Sequence, residues 1–184
     1  MKNLILIFCL SMSTSLSAGV FELSLGTTFR DTNLDAENLQ QARSTSASLA
    51  YYFWEGVAVQ ATYMQGFNYT KGRIDVSTVQ EQVSNFTYQG LDLIWSVGGN
   101  KGIFKPFVKI GMAEIDKKQE YKESGESPII ATSNGTNLTG GIGFKYHLTQ
   151  TLALKFSYDL WMGPIDADSP TTDTNFKLGI SWFL

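Results

Sequence analysis

From Val20 onward, apolar and polar side chains alternate with a period of two, the spacing of a strand whose two faces meet different surroundings. Val20 to Arg30 sets Phe21, Leu23, Leu25 and Phe29 against Glu22, Ser24, Gly26 and Thr28. Ser44 to Phe53 sets Ala47, Leu49, Tyr51 and Phe53 against Ser46, Ser48 and Ala50. Val57 to Tyr69, Asn85 to Val97, Lys105 to Ile115, Thr136 to Tyr146, Thr151 to Met162 and Thr174 to Leu184 repeat the pattern. Each of these eight candidate strands matches the roughly 9–11 residues that a tilted strand needs to cross a bilayer. Two places break the rule. Gln65 falls on the apolar face of the third strand, and Phe86 and Tyr88 have the opposite parity from Leu91, which predicts a bulge near Gly90.

The connections alternate as well. Long polar stretches follow the odd-numbered strands: Asp31–Arg43, Thr70–Ser84, Asp116–Gly135 and Gly163–Asp173. Short ones follow the second, fourth and sixth: Trp54-Glu55-Gly56, Gly98–Phe104 and His147–Gln150. Long at one end and short at the other is the pattern of an up-and-down barrel of the bacterial outer membrane, with short turns and both termini toward the periplasm. The predicted fold is all-β, an eight-stranded antiparallel up-and-down transmembrane β-barrel.

Residues 1–18 read differently. Lys2 supplies a positive start, Leu4 to Leu10 is apolar, and Leu16-Ser17-Ala18 offers small residues for cleavage. This predicts a signal peptide over 1–18 and a barrel domain over 19–184. Cys9 is the chain's one cysteine. It follows Ile7 and Phe8 inside the apolar run, unlike a lipidation site, so the mature chain is expected to lack thiols, which excludes disulfides and thiol chemistry. The mature balance becomes 13 bases (14 less Lys2) against 17 acids, which excludes a nucleic-acid binder that relies on a basic face.

Composition decides which face is wet. Charged residues are 17% of the chain, against roughly 25% in soluble domains. The charges on the polar face are chiefly Glu22, Asp92, Lys109, Lys145, Lys155, Asp159 and Lys177. That is sparse for a surface in water and suits a narrow lumen, because eight strands leave an interior just wide enough for side chains. Aromatics gather near strand ends: Phe21, Phe53, Trp95, Tyr146 and Trp182 toward the short turns, and Phe29, Phe67, Tyr69 and Tyr158 toward the long connections. Rings of this kind favour the two membrane interfaces.

The chain resembles the small eight-stranded outer-membrane barrels, the OmpA-like transmembrane domain group. Lys105-Pro106-Phe107-Val108-Lys109-Ile110-Gly111 is similar to that group's fifth strand, which often opens Pro-aromatic with a Gly soon after. Ile180-Ser181-Trp182-Phe183-Leu184 resembles the carboxy-terminal signal read by the barrel-insertion machinery, with Ile180, Trp182 and Leu184 in its alternating positions. That signal usually ends in an aromatic residue, and Leu184 departs from it. The sequence ends with the eighth strand, so no peptidoglycan-binding domain is expected after it. The resemblance implies residence in the outer membrane of a Gram-negative bacterium. It also implies contact with lipid and lipopolysaccharide, and delivery by periplasmic chaperones and the insertion machinery.

A lysine facing lipid at mid-bilayer costs about 2–4 kcal/mol. The lumen charges are therefore expected to face inward and to pair, as Asp92 with Lys109, Lys155 with Asp159, and Glu22 with Lys177. Such a network either plugs the bore or gates it. Catalysis is not expected, since the chain's one histidine, His147, falls at a short turn away from the outer leaflet. No metal site or cofactor is expected: the acids around Glu114-Ile115-Asp116 and Glu120–Glu126 are interleaved with Lys117, Lys118 and Lys122. Gly140-Gly141-Ile142-Gly143 lacks the Lys-Ser/Thr of a phosphate loop and reads as room made in a lumen. Three functions fit these observations. The leading one is a structural or surface-interaction protein working through its four long loops toward an unknown extracellular partner. The others are a narrow channel for water, ions or small solutes, and a secreted lipocalin-like carrier.

Overall fold

A computed structural model describes residues 19–35, 38–75, 78–97, 102–123, 129–166 and 169–184. The expected signal peptide, residues 1–18, lies outside the described residues. The strands are β1 (Val20–Asp35), β2 (Asn38–Trp54), β3 (Val57–Asp75), β4 (Thr78–Ser96), β5 (Phe104–Glu123), β6 (Ile129–His147), β7 (Leu152–Asp166) and β8 (Ser169–Phe183). Each pairs antiparallel with the next, and β8 closes on β1 through Glu22↔Phe183 to Thr27↔Leu178. Closure leaves no free edge at the level of the membrane, where an unpaired backbone group would cost several kcal/mol.

The apolar rows face outward. Leu25 is 52% exposed, Leu91 59%, Ile110 65% and Phe176 60%, whereas Glu22, Asp92 and Lys145 on the opposite parity are at most 1% exposed. A lipocalin-like carrier turns its apolar face inward, so that reading is overturned. Gln65 does lie on the outer face, with exposed Tyr63 and Phe67 on either side of it along the row, and its amide donates to Tyr63 Oη at 2.6 Å.

The bulge expected near Gly90 is absent. The β3–β4 ladder runs without a shift through Phe86↔Gly66, Tyr88↔Met64, Gly90↔Thr62 and Leu91↔Ala61. Phe86 and Tyr88 keep their parity and turn into the lumen, where Tyr88 is buried. Glycines make this possible. A Cβ on Gly66 would run into the Phe86 ring, and one on Gly90 would meet the Tyr88 ring at 2.6 Å.

The long polar connections also differ from expectation. Much of Asp31–Arg43, Thr70–Ser84, Asp116–Gly135 and Gly163–Asp173 is strand, so the ladder continues beyond the apolar band as paired hairpins. Outside a bilayer both faces of such a hairpin meet water. The binary pattern then falls silent while the backbone hydrogen bonds persist.

The short-turn end is compact. Glu55 and Gly56 connect β2 to β3, with Gly56 at φ 76°, a conformation open to glycine. Backbone bonds tie neighbouring turns together: Ser96 N donates to Gly56 O at 2.6 Å, His147 N to Ile103 O at 2.8 Å, and Phe183 N to Thr151 O at 2.8 Å. His147 is thus the last residue of β6 rather than part of the turn.

Candidate functional site

The site is the lumen, and parity builds it. Every other residue of each strand points inward, and in a bore this narrow the inward side chains from opposite strands touch. All seven charges singled out from the sequence line it and are buried or nearly so. Their partners differ in part from those expected.

Nearest the short turns, Lys145 Nζ lies 2.5 Å from Glu22 Oε2, and Lys155 Nζ lies 3.5 Å from Glu22 Oε1. Tyr52 Oη donates to Glu22 Oε2 at 2.6 Å and also contacts Lys145 Nζ, and Ser24 Oγ donates to Glu22 Oε1 at 3.0 Å. Lys145 is ringed by aromatics, 5.1 Å from the Tyr52 centroid, 5.4 Å from Phe107 and 5.6 Å from Phe183. The register explains the crowding. Lys105, Lys145 and Lys155 stand opposite one another across β5, β6 and β7. Like charges placed directly opposite repel, and Glu22 is the carboxylate that Lys145 and Lys155 share.

One layer further up, Asp159 takes Lys109 at 3.0 Å and Lys177 at 2.8 Å. At such distances the attraction is ionic, and a charge–charge term does not depend on alignment. Lys109 also faces Asp92 at 3.7 Å, and Thr139 Oγ1 donates to Asp92 Oδ1 at 2.8 Å. Gly111 and Gly141 leave room for this layer. A Cβ on Gly141 would come within 2.8 Å of Asp159 Oδ1 and 2.9 Å of Lys109 Cε.

The Asp92–Lys109 pair is therefore formed, and two expected pairs are corrected. Lys155 reaches Gln60 Oε1 at 2.8 Å and Glu22, not Asp159. Four residues along a strand span about 13 Å, so a spacing that joins side chains on a helix separates them here. Glu22 does not meet Lys177. Glu22 stands opposite Phe183, six residues below Lys177, which is about 20 Å along the strand.

Above the ions lies a layer that the sequence reading missed. Met64, Tyr88, Ala113, Ile115 and Trp161 form a buried apolar cluster, with Phe86 packed against it. Tyr88 and Trp161 rings sit 5.8 Å apart, and Phe86 and Trp161 6.2 Å. The available signal was parity. Trp161 shares the face of Asp159, and Ile115 that of Lys109, but apolar side chains looked out of place there. Between the ionic layers, beside Ser24, Gln60 and Thr62, a small cavity of about 30 Å³ remains.

Ile180, Trp182 and Leu184, expected from the sequence to form an insertion signal, all lie on the outer face. Leu184 N donates to Phe21 O at 2.8 Å, fastening the carboxy-terminal end to β1. His147 stacks on Phe183 with centroids 5.0 Å apart, at the short-turn mouth. The acids Glu114, Asp116 and Glu120 are exposed on the outer face of the β5–β6 hairpin. Among the described residues no group of three His, Cys, Asp or Glu is placed to hold a metal ion.

Grease outside and paired charge inside is the reverse of a water-soluble barrel, and it defines an integral outer-membrane β-barrel. Comparison with known families agrees. The chain belongs to the outer membrane protein beta-barrel domain family, with residues 4–182 matched, and it resides in the outer membrane. No curated protein matches it. Among solved structures it is similar to the N-terminal β-barrel domain of OprF from Pseudomonas aeruginosa, at 19% identity and a TM-score of 0.58, over 90% of this chain and 97% of that one. It is also similar to Ail, the attachment invasion locus protein of Yersinia pestis, at 14% identity and a TM-score of 0.57, over 90% and 99%. A third likeness is to Neisserial surface protein A, at 14% identity and a TM-score of 0.52, over 89% and 95%.

Proposed function

We propose that this protein is a sealed, non-catalytic outer-membrane anchor that holds its paired hairpins outside the cell as an interaction surface. The observation that supports this is the filled lumen. Two ionic layers and two buried apolar clusters, one around Trp161 and one around Phe107, fill the bore, with a cavity of about 30 Å³ between the ionic layers. In this reading the short turns face the periplasm and the hairpins face outward into the lipopolysaccharide and beyond. Residues 1–18 direct export, periplasmic chaperones carry the chain, and the barrel-insertion machinery reads Ile180, Trp182 and Leu184. The partner outside is met by the hairpins, as binding usually lives on connections held by a rigid scaffold.

Planar-bilayer recording tests the seal. Protein reconstituted from detergent is expected to give no reproducible unitary steps. Regular steps would favour the second reading, a narrow channel. One observation gives that reading its footing: Lys109 lies between two acids, Asp92 and Asp159, so exchange of partners is geometrically open to it.

A further inference from the structure

Charge is not evenly balanced along the bore. In the Asp159 layer two lysines, Lys109 and Lys177, meet two acids, Asp92 and Asp159. Nearer the short turns, Lys145 and Lys155 share Glu22 alone. Lys105 extends their row. It stands opposite Lys145 in the register, on the inward parity of Phe107 and Lys109. Among the described residues Lys105 pairs with no acid. Strand spacing holds the Cα atoms of Lys105, Lys145 and Lys155 within about 10 Å of one another. Three ammonium groups against one carboxylate leave a surplus of two positive charges. Uncompensated charge is costly wherever water is largely excluded.

The surplus borders open space. A cavity of about 1000 Å³ occupies the short-turn mouth, and Lys105, Lys145, Tyr52 and His147 are among the residues that line it. Lys105 is half-buried at the lip, while Lys145 is buried one ladder pair behind it, among the rings of Tyr52, Phe107 and Phe183. His147 Nε2 is buried at the same mouth and has no hydrogen-bond partner in the protein. Glu55 is the acid that lines this cavity among the described residues, and it is exposed and pairs with none of the lysines. Its charge is therefore screened by solvent, unlike that of Glu22.

We propose that the short-turn mouth binds a phosphate monoester, which Lys105 contacts directly and Lys145 attracts from behind. The charge selects the ligand. A phosphate monoester carries about −1.5 to −2 at neutral pH, close to the surplus, whereas a carboxylate supplies half of it. Charge-assisted hydrogen bonds from an ammonium to phosphate oxygens supply the contact. The phosphate comes either from a lipid headgroup bending over the rim or from a soluble ester.

The inference goes beyond the anchor reading and does not depend on the seal. The test uses the full barrel in phosphatidylcholine nanodiscs, titrated with inorganic phosphate at neutral pH and constant ionic strength. The readout is the ring nitrogen resonances of His147, the chain's one histidine, which report on this mouth alone. A saturable shift is expected with phosphate and none with chloride. Lys105→Met is expected to weaken binding about tenfold, and Lys105→Glu to abolish it. Lys71→Met, on the β3–β4 hairpin at the opposite end, is expected to leave it unchanged. Discs containing phosphatidic acid separate the sources: the same shift without added phosphate assigns the group to a lipid headgroup, and its absence assigns it to a soluble ester. No saturable shift, an equal shift with chloride, or undiminished binding in both Lys105 variants would each overturn the inference. Channel steps in planar bilayers would overturn the anchor reading and leave this site untouched.

Discussion

Glu22 holds two lysines, Lys145 and Lys155, that the register places face to face. Removing one partner of a buried ion pair typically costs about 3–5 kcal/mol, because the charge left behind has no compensation. Glu22→Gln is therefore expected to lower unfolding stability by about that amount in urea titration of the detergent-refolded barrel, and Lys145→Met to relieve part of the loss in the double variant. Additive effects in the cycle would remove the proposed coupling. Asp159→Asn is expected to cost more than Asp92→Asn, since Asp159 lies within 3.0 Å of two ammonium groups and Asp92 reaches one at 3.7 Å. On the outer face the sign of preference reverses. Leu93→Arg is expected to destabilise by about 2–4 kcal/mol near mid-bilayer, while Thr132→Arg, on the hairpin beyond the band, is expected to be close to neutral. At this scale the sequence identified which charged side chains enter the lumen, but of their pairings only Asp92 with Lys109. Membership of a face depends on parity alone. Partnership depends on register between strands distant in sequence, as Lys155 shows by reaching Gln60 across 95 positions.

The strands were legible wherever one face meets lipid and the other the packed bore. Their outer thirds were not, because a hairpin with water on both sides needs no alternation. Thr70–Ser84 illustrates this: it reads as loop by composition, yet Thr70↔Gln82 and Gly72↔Gln80 are ladder pairs. The bulge expected near Gly90 fails for a related reason. Phe86 and Tyr88 seemed misplaced on a polar face, whereas Gly66 and Gly90 make room for their rings inside. A measurable consequence is that the hairpin tips are separable from the membrane part. Replacing residues 71–81 by an Asn-Gly turn, which keeps Thr70 opposite Gln82, is expected to leave heat-dependent gel mobility unchanged, and so to leave the barrel closed. Loss of the unheated fast band would show that the hairpin helps hold the membrane-embedded part together. Gly141→Leu is expected to have the opposite profile, abolishing the fast band by pushing into Asp159 and Lys109.

For the whole molecule, the proposed seal has parts in series: the Glu22 layer, the Asp159 layer and the apolar cluster around Trp161. Trp161→Ala and Asp159→Ala, singly or together, are therefore expected to stay silent in planar bilayers, because the Glu22–Lys145 layer remains. All of this rests on the direction in which the two faces point. The tryptophans report it directly, since Trp95 and Trp182 lie on the outer rows and Trp161 is buried in the bore. Variants that keep one of these three, with the other tryptophans changed to Phe, are to be reconstituted in bilayers with brominated acyl chains. Strong quenching of Trp95 and Trp182 with little of Trp161 is the predicted result. Quenching of Trp161 with the other two unaffected would contradict the account.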